Sequence, residues 1–74
     1  MRLYTFKYYF YNEVDKNGKH EVHAEYCRYL PKEENRTYIG EFTSCDFAIA
    51  DAKLKYPNYE FDGCFFCCRT CHEE

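Results

Sequence analysis

Tryptophan is absent from this 74-residue chain, methionine occurs once, proline twice and glycine three times. So few glycines leave little room for a backbone cradle around phosphate. No phosphate-binding glycine loop, G-x-S-x-G elbow or H-E-x-x-H pair occurs. A positive balance is also missing: ten lysines and arginines stand against thirteen aspartates and glutamates, a formal charge of -3. That removes the broad basic field wanted by non-specific nucleic-acid or anionic-membrane binding, while the negative field is too small for a nucleic-acid mimic. No apolar run approaches the roughly 18 residues of a membrane helix, so no membrane partner is expected. The amino terminus, Met1-Arg2-Leu3-Tyr4-Thr5-Phe6-Lys7, lacks a long apolar stretch and a small-residue cleavage site. This reading predicts a cytoplasmic, reducing setting, where clustered cysteines are more often metal ligands or redox groups than disulfides.

What the chain has in abundance is aromatic residues, with nine tyrosines and seven phenylalanines. Residues 3–11 are rich in β-formers and alternate two faces. Tyr4, Phe6, Tyr8 and Phe10 read as core; Leu3, Thr5, Lys7, Tyr9 and Tyr11 form an amphipathic second face. Asp15-Lys16-Asn17-Gly18-Lys19 is a turn, because Asn-Gly accepts positive φ. A second strand over about 19–29 follows, with His20, Val22, Ala24 and Tyr26 inward and His23, Glu25, Cys27 and Tyr29 outward. His20 is expected to cap the core edge and His23 to lie on the surface. After a polar loop at 31–36, Thr37–Phe42 reads as a third strand. Three strands joined in order predict an antiparallel meander.

Thr43 or Ser44 can cap a helix over about 45–56, with Asp46 near its positive end and Pro57 beyond its stop. Projected at about 100° per residue, Phe47, Ala50 and Leu54 make one apolar stripe. Cys45, Ala48, Ile49, Ala52 and Tyr56 make a second. Two stripes predict a sandwiched helix, with the sheet on one side and the cysteine-rich tail on the other.

Four of the six cysteines fall in the last eleven residues, as Cys64-x-x-Cys67 abutting Cys68-x-x-Cys71, with His72 next. Two thiolates at that spacing can wrap one soft cation, and a tetrahedral zinc site needs four ligands. A knuckle at Cys64 and Cys67, completed by Cys71 and His72, is the leading set for a single zinc ion. Cys45, Cys27 and Cys68 are alternates. Adjacent side chains diverge, so Cys67 and Cys68 should not share one tetrahedral ion. Two other readings compete. In the first, residues 63–72 form a short helix whose cysteines are buried as one apolar stripe. In the second, the C-x-x-C pairs cycle through a disulfide.

The segment Thr37-Tyr38-Ile39-Gly40-Glu41-Phe42-Thr43-Ser44, running into Ala48-Ile49-Ala50-Asp51-Ala52, resembles the third strand and helix start of the small DNA-binding domain of plant ethylene-response factors and some phage integrases. The resemblance covers about 20 residues. It implies a meander followed by a helix, and a sheet face that reads the major groove through basic and aromatic residues. Here that face carries Lys7, Tyr9, Tyr11, Arg28 and Arg36, interleaved with Glu13, Glu21, Glu25 and Glu41.

The expectation is therefore one α+β domain over residues 1–74. Its parts are a three-stranded antiparallel meander (1–42), one helix packed across it (44–57), and a cysteine-rich carboxy-terminal zinc knuckle or short helix (62–74). Its expected role is a zinc-stabilised, non-catalytic module that binds a protein, as an accessory inhibitor or adaptor of the kind phages encode. Exposed tyrosine suits such interfaces, so Lys7, Tyr9, Tyr11, Arg28 and Arg36 are the candidate partner-binding residues. The alternatives are a nucleic-acid module using the same sheet face and a thiol redox protein.

Overall fold

A computed structural model describes residues 4–72 of the chain. The expectations that Leu3 opens the first strand and that the tail runs through Glu73 and Glu74 lie outside the described residues. The elements in chain order are β1 (Phe6–Val14), β2 (Lys19–Ala24), β3 (Arg36–Phe42), α1 (Cys45–Lys55) and β4 (Glu60–Gly63). Single turns of 3₁₀ helix occur at Glu33–Asn35 and Arg69–Cys71. The fold is a small α+β unit with a four-stranded mixed sheet and one helix.

The β1–β2 hairpin closes where Asn-Gly predicts it, with Gly18 at φ 77°. The Asp15 carboxylate accepts the N–H groups of Asn17 at 2.8 Å and Lys19 at 3.0 Å. The third strand does not continue a meander. The sheet order is β3-β1-β2-β4, so β1 is central and β3 returns to its far edge. The nine-residue β1 carries hydrogen-bonding edges on both sides, and residues 25–35 are long enough to bring the chain across. That frees the outer edge of β2 for β4, which pairs parallel to it. Since β1 is antiparallel to both β2 and β3, the strands β2, β3 and β4 all run the same way. Their carboxyl ends therefore share one end of the sheet.

Tyr8 and Phe10 are buried, as their face predicts, but Tyr4 and Phe6 are exposed. Ala24, the last residue of β2, pairs with Tyr8, so the start of β1 projects past its neighbour. The second strand likewise stops at Ala24 rather than near 29. A turn at Cys27, whose N–H donates to Ala24 O at 3.0 Å, folds the chain back. At the opposite end of the sheet the rings of His20, Tyr56, Tyr59 and Phe61 surround Phe10 edge-on, at 5.1–6.3 Å.

Helix α1 buries Cys45, Ala48 and Ala52 against the sheet. Small residues on this stripe let the helix axis sit close to the strands. The other stripe is not covered: Phe47 is 61% and Leu54 82% exposed. The helix is therefore not sandwiched. The tail packs onto the same stripe as the sheet, where Cys68 joins Cys45, Ala48 and Ala52 in one core cluster. Gly63 permits this return, because a Cβ there would stand 2.7 Å from both Cys68 O and Cys71 Cβ. The tail is a turn followed by 3₁₀ helix, so the single-helix stripe of four cysteines does not form.

Candidate metal centre

All six cysteines are free thiols, and all lie at or beyond the shared carboxyl end of the parallel strands. Cys27 follows β2, Cys45 follows β3, and Cys64, Cys67, Cys68 and Cys71 follow β4. Topology, rather than sequence spacing, gathers them.

Four side chains converge there: His23, Cys27, Cys64 and Cys67, each offering a ligand atom within 4.8 Å of the others. His23 is the last-but-one residue of β2, and Cys27 comes from the turn after it. Cys64 extends β4, its N–H donating to Val22 O at 2.9 Å. At the next rung β4 has ended, and the Ala24 N–H donates to Cys67 Sγ at 3.3 Å instead. A sulfur thus replaces a backbone carbonyl in the ladder. The Tyr29 N–H donates to Cys27 Sγ at 3.4 Å, and the Cys27 and Cys64 sulfurs are 3.8 Å apart.

The histidine is set as metal-bound imidazoles are usually set. Its Nε2 lies 3.1 Å from Glu21 Oε1, which fixes the proton on that nitrogen. Its Nδ1 is buried and has no hydrogen-bond partner. A buried polar atom without a partner costs free energy, and a cation among the three sulfurs would accept its lone pair. Three sulfurs and one imidazole nitrogen are a donor set that could hold a thiophilic metal ion.

The thiols are unequal. The Cys68 thiol beside it, 3.9 Å away, then the His23 ring and the Ala24 N–H hold the Cys67 thiol below its ordinary range, at about 4, against the opposing effect of burial. Burial pushes the Cys27 thiol up to about 12 and raises Cys64 as well, although N–H groups of Cys67 and Phe66 pull Cys64 the other way. The hydrogen bond with Cys67, followed by burial, raises the Cys68 thiol.

Of the residues singled out from sequence, Cys64, Cys67 and the alternate Cys27 come together. Cys71, His72, Cys45 and Cys68 do not join them. Cys68 is 1% exposed, in the core on the helix side. His72 turns its Nδ1 to Gly63 O at 2.9 Å and stands 3.6 Å from the buried Asp62 carboxylate. Cys71 and Cys45 meet Asp46 in a separate group. His23, expected on the surface, is 3% exposed. Strand parity puts it opposite the core, opposite Tyr9, and the loop after β2 then folds over it. The spacing His23-x-x-x-Cys27 was the available signal, since strand alternation alone hides a residue covered by its own following turn.

The partner-binding candidates divide. Lys7, Tyr9 and Arg36 line one open groove with Glu33, Tyr38 and Glu41. The Arg36 guanidinium lies 4.4 Å over the Tyr9 ring and donates to Pro31 O at 3.0 Å. Tyr11 belongs to a neighbouring groove with Glu21, His23 and Tyr29. Arg28 is elsewhere, 5.8 Å over the ring of Tyr29. Among the described residues no helix is long and apolar enough to cross a membrane. Comparison of the chain with protein-family models, curated proteins and solved structures gives no match.

Proposed function

We propose that this chain is a small zinc-stabilised, non-catalytic module that binds a protein partner through the open face of its sheet. The zinc assignment rests on the His23–Cys27–Cys64–Cys67 cluster, with its unpartnered Nδ1 and its N–H···S hydrogen bonds. Four protein donors leave no open position for a reactant, which is the signature of a structural rather than a catalytic ion. The ion's work is mechanical: it pins the short edge strand β4 and the tail to β2.

The binding assignment draws on the groove of Lys7, Tyr9, Glu33, Arg36, Tyr38 and Glu41. Tyrosine and arginine are the residues that most often anchor protein interfaces. Charges of both signs suit a protein surface with matching charges better than a polyanion.

Protein purified under reductant and dialysed should retain about one zinc per chain. Cys64→Ser should lose that ion and melt at a markedly lower temperature. Retention of a full thermal transition in metal-free protein would overturn the zinc reading. A captured partner should be lost by both Tyr9→Ala and Arg36→Ala and kept by Leu54→Ser on the exposed helix stripe. Equal capture by all three would overturn the surface assignment.

A second reading has its own observation. Around the knuckle, Tyr29 and Phe66 stack with centroids 4.4 Å apart, Phe65 meets Phe66 edge-on, and Arg69 lies 5.1 Å over Phe65. With Arg28 over Tyr29, this makes an exposed aromatic surface carrying two arginines, able to stack the bases of single-stranded nucleic acid. A salt-sensitive shift of a labelled single-stranded oligonucleotide, abolished by Phe66→Ala, would favour it. No binding at low salt would retire it.

A further inference from the structure

Cys45, Asp46 and Cys71 form a second group, in which two thiol sulfurs and a carboxylate oxygen lie within 4.8 Å of one another. Cys45 and Asp46 open α1, and Cys71 closes the last 3₁₀ turn, so the group joins the helix start to the tail. The Cys71 thiol donates to Asp46 Oδ1 at 2.7 Å. The Thr70 hydroxyl stands 3.9 Å from Cys45 Sγ and 4.0 Å from Cys71 Sγ. A surface cavity of about 260 Å³ opens on this side, lined by Asp46, Ile49, Thr70 and Cys71. Among the described residues no lysine or arginine lines it.

We infer that Cys45, Asp46 and Cys71 are a second, exchangeable site for a thiophilic divalent cation of the zinc and cadmium class. Two sulfurs and one oxygen are a donor set for such ions rather than for magnesium or calcium. The contrast with the first cluster sets the difference in behaviour. There, four protein donors are available and three of them are buried. Here there are three donors, one on an exposed residue, beside a cavity that admits water to the remaining coordination position. An open coordination position lets ligands and ions exchange.

The binding step balances. The arriving cation displaces the thiol protons of Cys45 and Cys71, which leave to solvent, and accepts one oxygen of the Asp46 carboxylate. Before binding, the Cys71 proton is held by burial and by Asp46, which raise its pKa above the usual thiol range. The hydrogen bond between Cys71 and Asp46 marks where the cation would substitute for that proton. The inference does not depend on the first cluster holding zinc.

Reduced full-length chain, stripped of metal, is titrated with cadmium, and bound ions are counted by equilibrium dialysis and by cadmium-113 resonances. About two ions per chain are expected, one in an S₃N and one in an S₂O environment. Cys71→Ser and Asp46→Asn should each fall to about one, losing the S₂O resonance. Asp46 is exposed, so its variant keeps the fold, and near-ultraviolet dichroism verifies this. Cys64→Ser should lose the S₃N resonance alone. Wild-type uptake of a single ion in the S₃N environment would overturn the inference. So would two ions bound by Asp46→Asn and by Cys71→Ser. A Cys64→Ser chain with both resonances intact would instead overturn the structural-zinc proposal and leave the second site standing.

Discussion

A buried imidazole with one nitrogen tied to a carboxylate and the other facing three sulfurs is a costly arrangement unless a cation completes it. His23 owes its orientation to Glu21, 3.1 Å from Nε2. Partners of this kind set the tautomer and basicity of a ligating histidine, and their loss typically lowers metal affinity by about 10–100-fold. Glu21→Gln is expected to weaken zinc by that factor in competition with a chromophoric chelator, with the fold preserved. Unchanged affinity would disconnect Glu21 from the centre. At this scale the sequence exposed the cysteines but not their partner. The Cys64-x-x-Cys67 knuckle was readable because spacing within one turn is local. Cys27 was one of several alternates and His23 was read as surface, because their meeting requires β2 and β4 to be neighbours, a non-local fact. The adjacency of Cys67 and Cys68 was informative: their side chains diverge, one to the metal cluster and one to the core.

Among the elements, α1 and the first hairpin were the most legible. The helix spans Cys45–Lys55 against an expected 45–56, and its end before Pro57 follows from proline's missing N–H. What the pattern could not decide was which of two apolar stripes is buried. Both have similar hydrophobicity, and the small side chains of Ala48 and Ala52 won because they allow closer approach. Ala52→Leu should therefore cost about 1–3 kcal/mol through overpacking. Leu54→Ser should stay within about 0.5 kcal/mol of wild type. Both are read by denaturant unfolding of the metal-loaded protein. Equal costs would mean that the helix can rotate its stripes.

The hairpin turn carries a pH signature. Hydrogen bonds from the Lys19 N–H first, and then from Asn17, hold the Asp15 carboxyl below its ordinary value. A lowered folded-state pKa contributes stability that is complete above the ordinary carboxylate value. That stability is lost as pH falls through the lowered one. Wild type should thus lose its margin over Asp15→Ala as the solution is taken from neutral to strongly acid, measured as converging midpoints in denaturant. A margin independent of pH would assign the effect to turn shape instead.

As a whole, the molecule has two differently held ends. At one, Phe10 sits in a ring of His20, Tyr56, Tyr59 and Phe61 that needs no ion. At the other, the parallel strands deliver sulfur and imidazole. Chelation is expected to release the amides of 64–72 to hydrogen exchange while Val22 and Phe10 amides stay protected at first. Uniform loss of protection would mean a single cooperative unit. The α+β class was legible from the strand and helix patterns. The order β3-β1-β2-β4 was not, because neither alternation nor turn chemistry says which edge of β1 a returning strand will choose. The four residues of β4 are also too few to say which strand edge they will join.

The donors of the first centre come from two places in the sequence, with Cys27 and Cys64 standing 37 positions apart. Before Cys64 and Cys67 follow, His23 and Cys27 present half a clasp, two donors where a closed tetrahedral site takes four. On the proposed zinc reading, the clasp closes only once Cys64 and Cys67 have joined the two earlier donors. A chain denied that ion is expected to stay open at this end of the sheet and to be cut there first by an added protease.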